Sequence, residues 1–317
     1  MKQLVILSGK GGTGKTSLAA AFAHLAREGP SPVPLVLADA DVDAPNLDLV
    51  LGPRRLEEHG FVGGSTAQIV AEMCEGCGVC ADVCRFEAIR EEDGKFKIDP
   101  LACEGCGACF HECPAQAIRM QPQVAGRWYR SESRYGPLIH AALLPAHENS
   151  GRLVTLVKQQ ARLLALDGGY SGLLVDGPPG IGCPVISAAA GADLALVVTE
   201  PTVAGIHDME RILETTEHFR VPAQVCINKA DLFPAGTEQI LDACRRKGIG
   251  VVGCIPFDET VTEAMVRGEP VTAFDPDAPS SRAIIEIWQG LSGCLFVRSA
   301  ESIPARVERN DGPRGGT

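Results

Sequence analysis

Leu4-Val5-Ile6-Leu7-Ser8-Gly9-Lys10-Gly11-Gly12-Thr13-Gly14-Lys15-Thr16-Ser17 decides the fold of this chain. Four apolar residues read as a buried strand and the glycines as a loop. The alanine-rich run 17–28, with Leu18, Phe22 and Leu25 at helical spacing, reads as a helix stopped by Gly29-Pro30. Gly9, Gly14, Lys15 and Thr16 satisfy G-x-x-x-x-G-K-[ST]. In that pattern backbone N–H groups at a helix N-terminus wrap phosphates, the lysine bridges β and γ oxygens, and the hydroxyl holds Mg²⁺. A glycine turn that merely joined strand to helix would account for the glycines but not for Lys15-Thr16. The candidate contacts for a bound nucleotide's phosphates are therefore Gly9, Lys10, Gly11, Gly12, Thr13, Gly14, Lys15, Thr16 and Ser17, with Mg²⁺ beside them.

Working outward, the same alternation recurs. Apolar segments at 33–38, 172–175, 194–199, 223–227 and 251–255 are separated by helical patterns such as 153–166, 209–219 and 280–291. They end in Asp39-Ala40-Asp41-Val42-Asp43, Asp176-Gly177-Pro178-Pro179-Gly180, Glu200-Pro201-Thr202, Asn228-Lys229-Ala230-Asp231 and Pro256-Phe257-Asp258. This predicts an α/β fold, a mostly parallel sheet flanked by helices. Carboxylates at the C-terminal ends of its strands face a ligand crevice, which would gather Lys10, Lys15, Thr16, Asp41 and Asp176.

The chain has 317 residues, enough for one large or two modest domains. A net charge of −11 argues against a general nucleic-acid or anionic-membrane surface, and aromatics at 5% offer no base-stacking platform. No apolar run reaches the length of a membrane span, and Met1-Lys2-Gln3 leads straight into the first strand without a signal-peptide pattern, so a cytoplasmic protein is expected. Thirteen cysteines in a small secreted chain would mean disulfides. Here eight of them fall within residues 74–113 of a large chain with a phosphate loop, which points to metal.

At 54–64 the sequence turns polar and glycine-rich, and the core pattern lapses. Beyond it lies an internal repeat: Cys74, Cys77, Cys80 and Cys84, then Cys103, Cys106, Cys109 and Cys113, offset by 29 residues. Three thiolates at this spacing hold three corners of an iron–sulfur cube, and the fourth of each run is directed to the other cluster. The expected 4Fe-4S sets are Cys74, Cys77, Cys80 with Cys113, and Cys103, Cys106, Cys109 with Cys84. Zinc would want Cys pairs with longer spacers. The segment resembles bacterial two-cluster ferredoxins, with Arg85 where a proline often follows the first run. The expected division is an ATPase domain at 1–59 and 121–298, an inserted ferredoxin domain at 60–120, and a disordered tail at 299–317. Residues 72–119 carry ten acidic and five basic side chains, which suits docking to a basic redox partner or to the basic side of the chain's own core.

Lys10, directly after the first glycine, makes the loop resemble the deviant Walker A loop of the MinD/ParA/Mrp and nitrogenase iron protein class. That resemblance implies an ATP-dependent dimer, of two copies or with a close homologue, in which Lys10 reaches the partner's phosphates. It further implies that Asp41 orients the attacking water, that Asp39 supports the Mg²⁺ side, and that Asp176 in a switch II segment holds Mg²⁺ through water. Asn228 looks like an adenine contact, and Pro256 and Asp258 are similar to the loop that packs against the base. Asp43 reads as a solvated turn residue.

Three outputs are compatible with such a switch: electron transfer from the clusters to a partner, a redox-sensing organiser of cell division, or an Mrp-type iron–sulfur carrier. The carrier's Cys-x-x-Cys near the C-terminus is missing, and 301–317 lacks the basic amphipathic helix of MinD-type membrane binders. Cys226, Cys244, Cys254 and Cys294 read as buried hydrophobes. Cys183 stands seven residues after Asp176, an interval at which nitrogenase iron proteins bind their shared cluster. No second cysteine lies between Cys113 and Cys183 to complete a bridging cube. Packing at a helix start is its expected role, and a thiol near the dimer axis that senses switch II is the alternative.

Overall fold

The computed structural model describes residues 1–145 and 149–296; the expected tail at 299–317 lies outside them. Strand β1 (Lys2–Ser8) is the middle of the sheet's seven parallel strands, and Leu4, Val5, Ile6 and Leu7 are all fully buried, as an apolar strand covered on both faces must be. The other strands are β2 (Leu35–Asp39), β3 (Arg54–Ile69), β4 (Ile89–Glu92), β5 (Lys95–Ile98), β6 (Ile118–Ser133), β7 (Gly136–Leu143), β8 (Gly172–Pro179), β9 (Leu194–Thr199), β10 (Ala223–Asn228) and β11 (Gly250–Ile255). Nine form one sheet in the order β11-β10-β9-β1-β8-β2-β7-β6-β3. Neighbours from β11 to β7 run parallel, and β6 and β3 continue the sheet antiparallel. The expected α/β architecture is the observed one.

Helices cover both faces. Ser150–Asp167, Cys183–Ala189, Val203–His218 and Pro234–Lys247 bury Leu153, Val185, Met209 and Ile240 on one side. Lys15–Glu28 and Pro279–Leu295 bury Phe22, Ile284 and Trp288 on the other. Each fully buried large apolar side chain stabilises the fold by about 1.5–3 kcal/mol.

The stretch expected to be a boundary is instead continuous strand. β3 runs unbroken through 59–60 and pairs with β6 from Arg54–Glu132 to Ile69–Ile118. The β6–β7 ladder stops at Gly126, so 118–125 and their β3 partners leave the sheet as a two-stranded ribbon reaching about 25 Å outward. Register irregularities cluster at Phe61, Val62 and Gly64, where the ribbon departs. At its far end Ala67, Cys80, Ile89, Cys109 and Ile118 form a separate small core, with the β4–β5 hairpin beside it.

Candidate functional site

The phosphate loop is shaped by its glycines and by what packs behind it. Gly14 takes φ +92, and a Cβ there would press on the Asn228 amide, so only glycine fits. Gly14 also caps helix Lys15–Glu28 without any side-chain bond, which leaves the first-turn N–H groups to a ligand. Lys15 is buried within the field of Asp176, Asp41 and Asp39. Burial pulls its ammonium down, and those three carboxylates oppose the pull.

Asp39 and Asp176 are cross-strand neighbours in β2 and β8, both buried, because parallel pairing sets their strand ends side by side. Their situations differ. Asp39 accepts backbone N–H bonds from Asp41 (3.0 Å), Asn46 (3.2 Å) and Leu47 (3.1 Å) and so shapes the loop that carries Asp41. Burial and the neighbouring Asp176 push its carboxyl well up. Both oxygens of Asp176 are buried without a hydrogen-bond partner. Burial lifts this carboxyl to about 6, opposed by the nearby Thr16 hydroxyl and Lys15 ammonium. An orphaned buried carboxylate beside the loop threonine is a donor set suited to a hydrated Mg²⁺. Asp41 is half-buried; burial raises its carboxyl and Lys15 draws it back, so it faces the same crevice. Asp43 is exposed, as a turn residue should be.

Several expected contacts have other partners. Asn228 donates to the Thr13 carbonyl at 2.8 Å and accepts from the Lys229 N–H at 3.0 Å, which braces the phosphate loop. Asp258 accepts from Thr260 N–H and from the Ser280 N–H and hydroxyl (3.0, 3.1 and 2.8 Å), tying two helices together. Those bonds outweigh burial and hold its carboxyl below the usual range. The Ser17 hydroxyl turns to Met265 at 3.1 Å, and Pro256 is half-buried beside Asp258. Glu200, a strand end to which the sequence assigned no role, pairs with Lys10 at 2.8 Å and with Lys229 at 2.6 Å. Its signal was its place at the end of β9, the same rule that singled out Asp39 and Asp176.

Two cavities lie at the end of the ribbon. One is lined by Cys74, Cys77, Cys80 and Cys113 and the other by Cys103, Cys106, Cys109 and Cys84, each of about 20 Å³. Each takes three cysteines from one run and the fourth from the other. Among the described residues no three His, Cys, Asp or Glu side chains converge to hold a single metal ion; the thiols ring a space. Backbone N–H groups of Ala67 and Ala117 point at Cys103 Sγ (3.5 Å) and Cys113 Sγ (3.3 Å). Gly105, at φ +64, lies so close to the Ser65 carbonyl that a Cβ would collide with it, so the second run is braced on β3.

The lone cysteines divide. Cys226 and Cys244 are buried as expected, whereas Cys254 and Cys294 are exposed. Cys183 is also exposed, which overturns a purely internal packing role. It starts helix Cys183–Ala189 beside a groove shared with Phe61, Arg152 and Ser187.

A glycine loop between a central parallel strand and a buried-lysine helix, with carboxylates at the adjacent strand ends, defines a P-loop nucleotide-binding protein. Residues 4–271 match the CobQ/CobB/MinD/ParA nucleotide binding domain family, and the chain belongs to that family, whose MinD/ParA members are ATPases. It is 36% identical to an uncharacterized protein of Methanocaldococcus jannaschii over 91% of this chain and 96% of that one. It is 23% identical to an iron-sulfur cluster carrier protein of Pyrococcus horikoshii over 91% and 85%. The fold matches MinD in the Aquifex aeolicus MinC:MinD complex with a TM-score of 0.57 at 23% identity, over 96% of this chain and 98% of that one. No helix among the described residues is long and apolar enough to cross a membrane.

Proposed function

We propose that this protein is an ATP-hydrolysing dimeric switch carrying two resident 4Fe-4S clusters, which couples dimer closure to electron transfer with a redox partner. The observation that carries the reading is the pair of four-cysteine cavities, each completed by a cysteine from the other run. That arrangement suits a polynuclear cluster, and the small core around it supports reading residues 60–120 as a ferredoxin-like unit. The N–H groups of Ala67 and Ala117 donate to the Cys103 and Cys113 sulfurs and brace these two ligands. When bound, the clusters supply one-electron storage at the end of the ribbon.

In the nucleotide crevice, Lys15 and the free N–H groups of the Lys15–Glu28 helix bind the phosphates. Thr16 and Asp176 would hold the Mg²⁺ that offsets phosphate charge, and Asp39 fixes the loop from which Asp41 orients water for in-line attack. Lys10 acts across the dimer. Asn228, Pro256 and Asp258 frame the base side of the crevice, Asn228 through the Thr13 carbonyl and Asp258 through the helix ends it joins. The four thiols around each cavity come from two cysteine runs held together by the ribbon's own small core, which suits a resident cluster better than one handed on.

Anaerobically purified protein tests this directly: about eight irons with matching sulfide are expected per chain. Because ligation crosses between the runs, Cys84→Ser should perturb the cluster of Cys103, Cys106 and Cys109 and leave the other EPR signal intact. Bound zinc without sulfide, or loss of the first-run cluster alone, would overturn the assignment.

A further inference from the structure

Glu200 closes β9, which flanks β1 on the side opposite β8 and the aspartates. Its side chain is only 11% exposed, and each carboxylate oxygen is taken by a different ammonium: Oε2 by Lys10 at 2.8 Å and Oε1 by Lys229 at 2.6 Å. Burial alone would raise the Glu200 carboxyl, but the two lysines outweigh it and hold it below its ordinary range. Lys229 also reaches the Gly12 carbonyl at 3.4 Å, next to the Asn228–Thr13 bond, so the end of β10 grips the loop that Lys10 belongs to. Lys10 itself remains 38% exposed, and among the described residues its ammonium is held by Glu200 alone.

From this geometry we propose that Glu200 is a positioning residue that retains Lys10 within its own protomer, so that nucleotide-driven pairing of two chains must first open the Lys10–Glu200 ion pair. The proposal rests on the cross-dimer reading of Lys10. An ammonium seated on its own Glu200 is not available to a phosphate bound by the facing chain, so the ion pair opposes dimer closure. Lys229 moderates the hold, because it shares the negative charge that attracts Lys10. With the Lys229 charge removed, Glu200 would grip Lys10 alone and more strongly.

Sedimentation velocity of the full, iron-loaded chain under anaerobic conditions, with Mg²⁺ and a non-hydrolysable ATP analogue, tests the proposal. A half-exposed ion pair opposes closure by about threefold, and each dimer opens two, so Glu200→Gln should tighten the dimer about tenfold. Lys229→Met should weaken it by a few-fold. ADP affinity of the monomer reports whether the phosphate loop has kept its shape. If Glu200→Gln loses ADP binding, the Lys229→Met arm decides. Dimerisation by Glu200→Gln no tighter than wild type with ADP binding intact, or a Lys229→Met dimer tighter than wild type, would overturn the proposal. Lys10→Ala separates the two readings. Unchanged dimerisation in Lys10→Ala would remove the cross-dimer role itself, whereas lost dimerisation there alongside an unmoved Glu200→Gln would remove only the retaining contact.

Discussion

Lys158→Met should destabilise the protein selectively at the helix that comes after switch II. Lys158 projects from helix Ser150–Asp167, is 8% exposed, and donates to the carbonyls of Ser187 (2.8 Å), Ala188 (2.6 Å) and Ala190 (2.7 Å). These are end carbonyls of the seven-residue helix Cys183–Ala189, which has no glycine cap and no basic residue in its last turn. Three charge-assisted bonds at about 2 kcal/mol each contribute about 6 kcal/mol. Against them stands the several kcal/mol it costs to take an ammonium out of water, and burial, with Arg162 adding to it, draws this one from 10.5 to about 8. The net is about 2–3 kcal/mol, or about 3–5 °C in Tm for a chain of this size.

The same ammonium makes stability depend on pH. Between pH 8 and 10.5 the unfolded chain keeps a proton that the folded chain has released, so wild-type stability rises with pH across that window and the methionine variant lacks the rise. Thermal melts of the anaerobic protein measure the first effect, and hydrogen exchange over 183–190 localises it. A variant that melts at or above the wild type at pH 7, with unchanged protection in 183–190, would refute the reasoning.

Asp176→Asn should fold, since both carboxylate oxygens are buried and unpartnered, yet lose the gain in ATP-analogue affinity that Mg²⁺ gives the wild type over EDTA; an equal Mg²⁺ dependence would place the ion elsewhere. Lys15→Ala should abolish nucleotide binding by isothermal calorimetry, because the ammonium is the buried cation beside Asp176, Asp41 and Asp39. The exposed Cys183 thiol should alkylate at different rates with ADP and with a non-hydrolysable ATP analogue, because it starts the helix just past switch II; equal rates would leave it outside the nucleotide response.

Much of this protein is written locally. The phosphate loop, the parallel strands with their terminal carboxylates and the cysteine runs are spacing patterns of a few residues, and short-range sterics and ligand chemistry dictate what such patterns do. Cys84 and Cys113 line the cavities of the opposite runs, where the ferredoxin-like spacing leads one to look for them. What the chain could not show by itself depends on which strands become neighbours. Residues 54–64 read as a domain boundary because an edge strand exposed on both faces over 54–60 has no apolar alternation to mark it as strand. Lys10 and Glu200 stand far apart in sequence and meet only because β9 is placed beside β1. Asn228 and Asp258 carried the expected residue types at the expected strand ends, but side-chain direction and the helices packed nearby turned one toward a loop carbonyl and the other toward two helix termini. The exposure of Cys183 and the capping role of Lys158 likewise arise from how two helices cross, a long-range outcome of packing that no short window of sequence encodes.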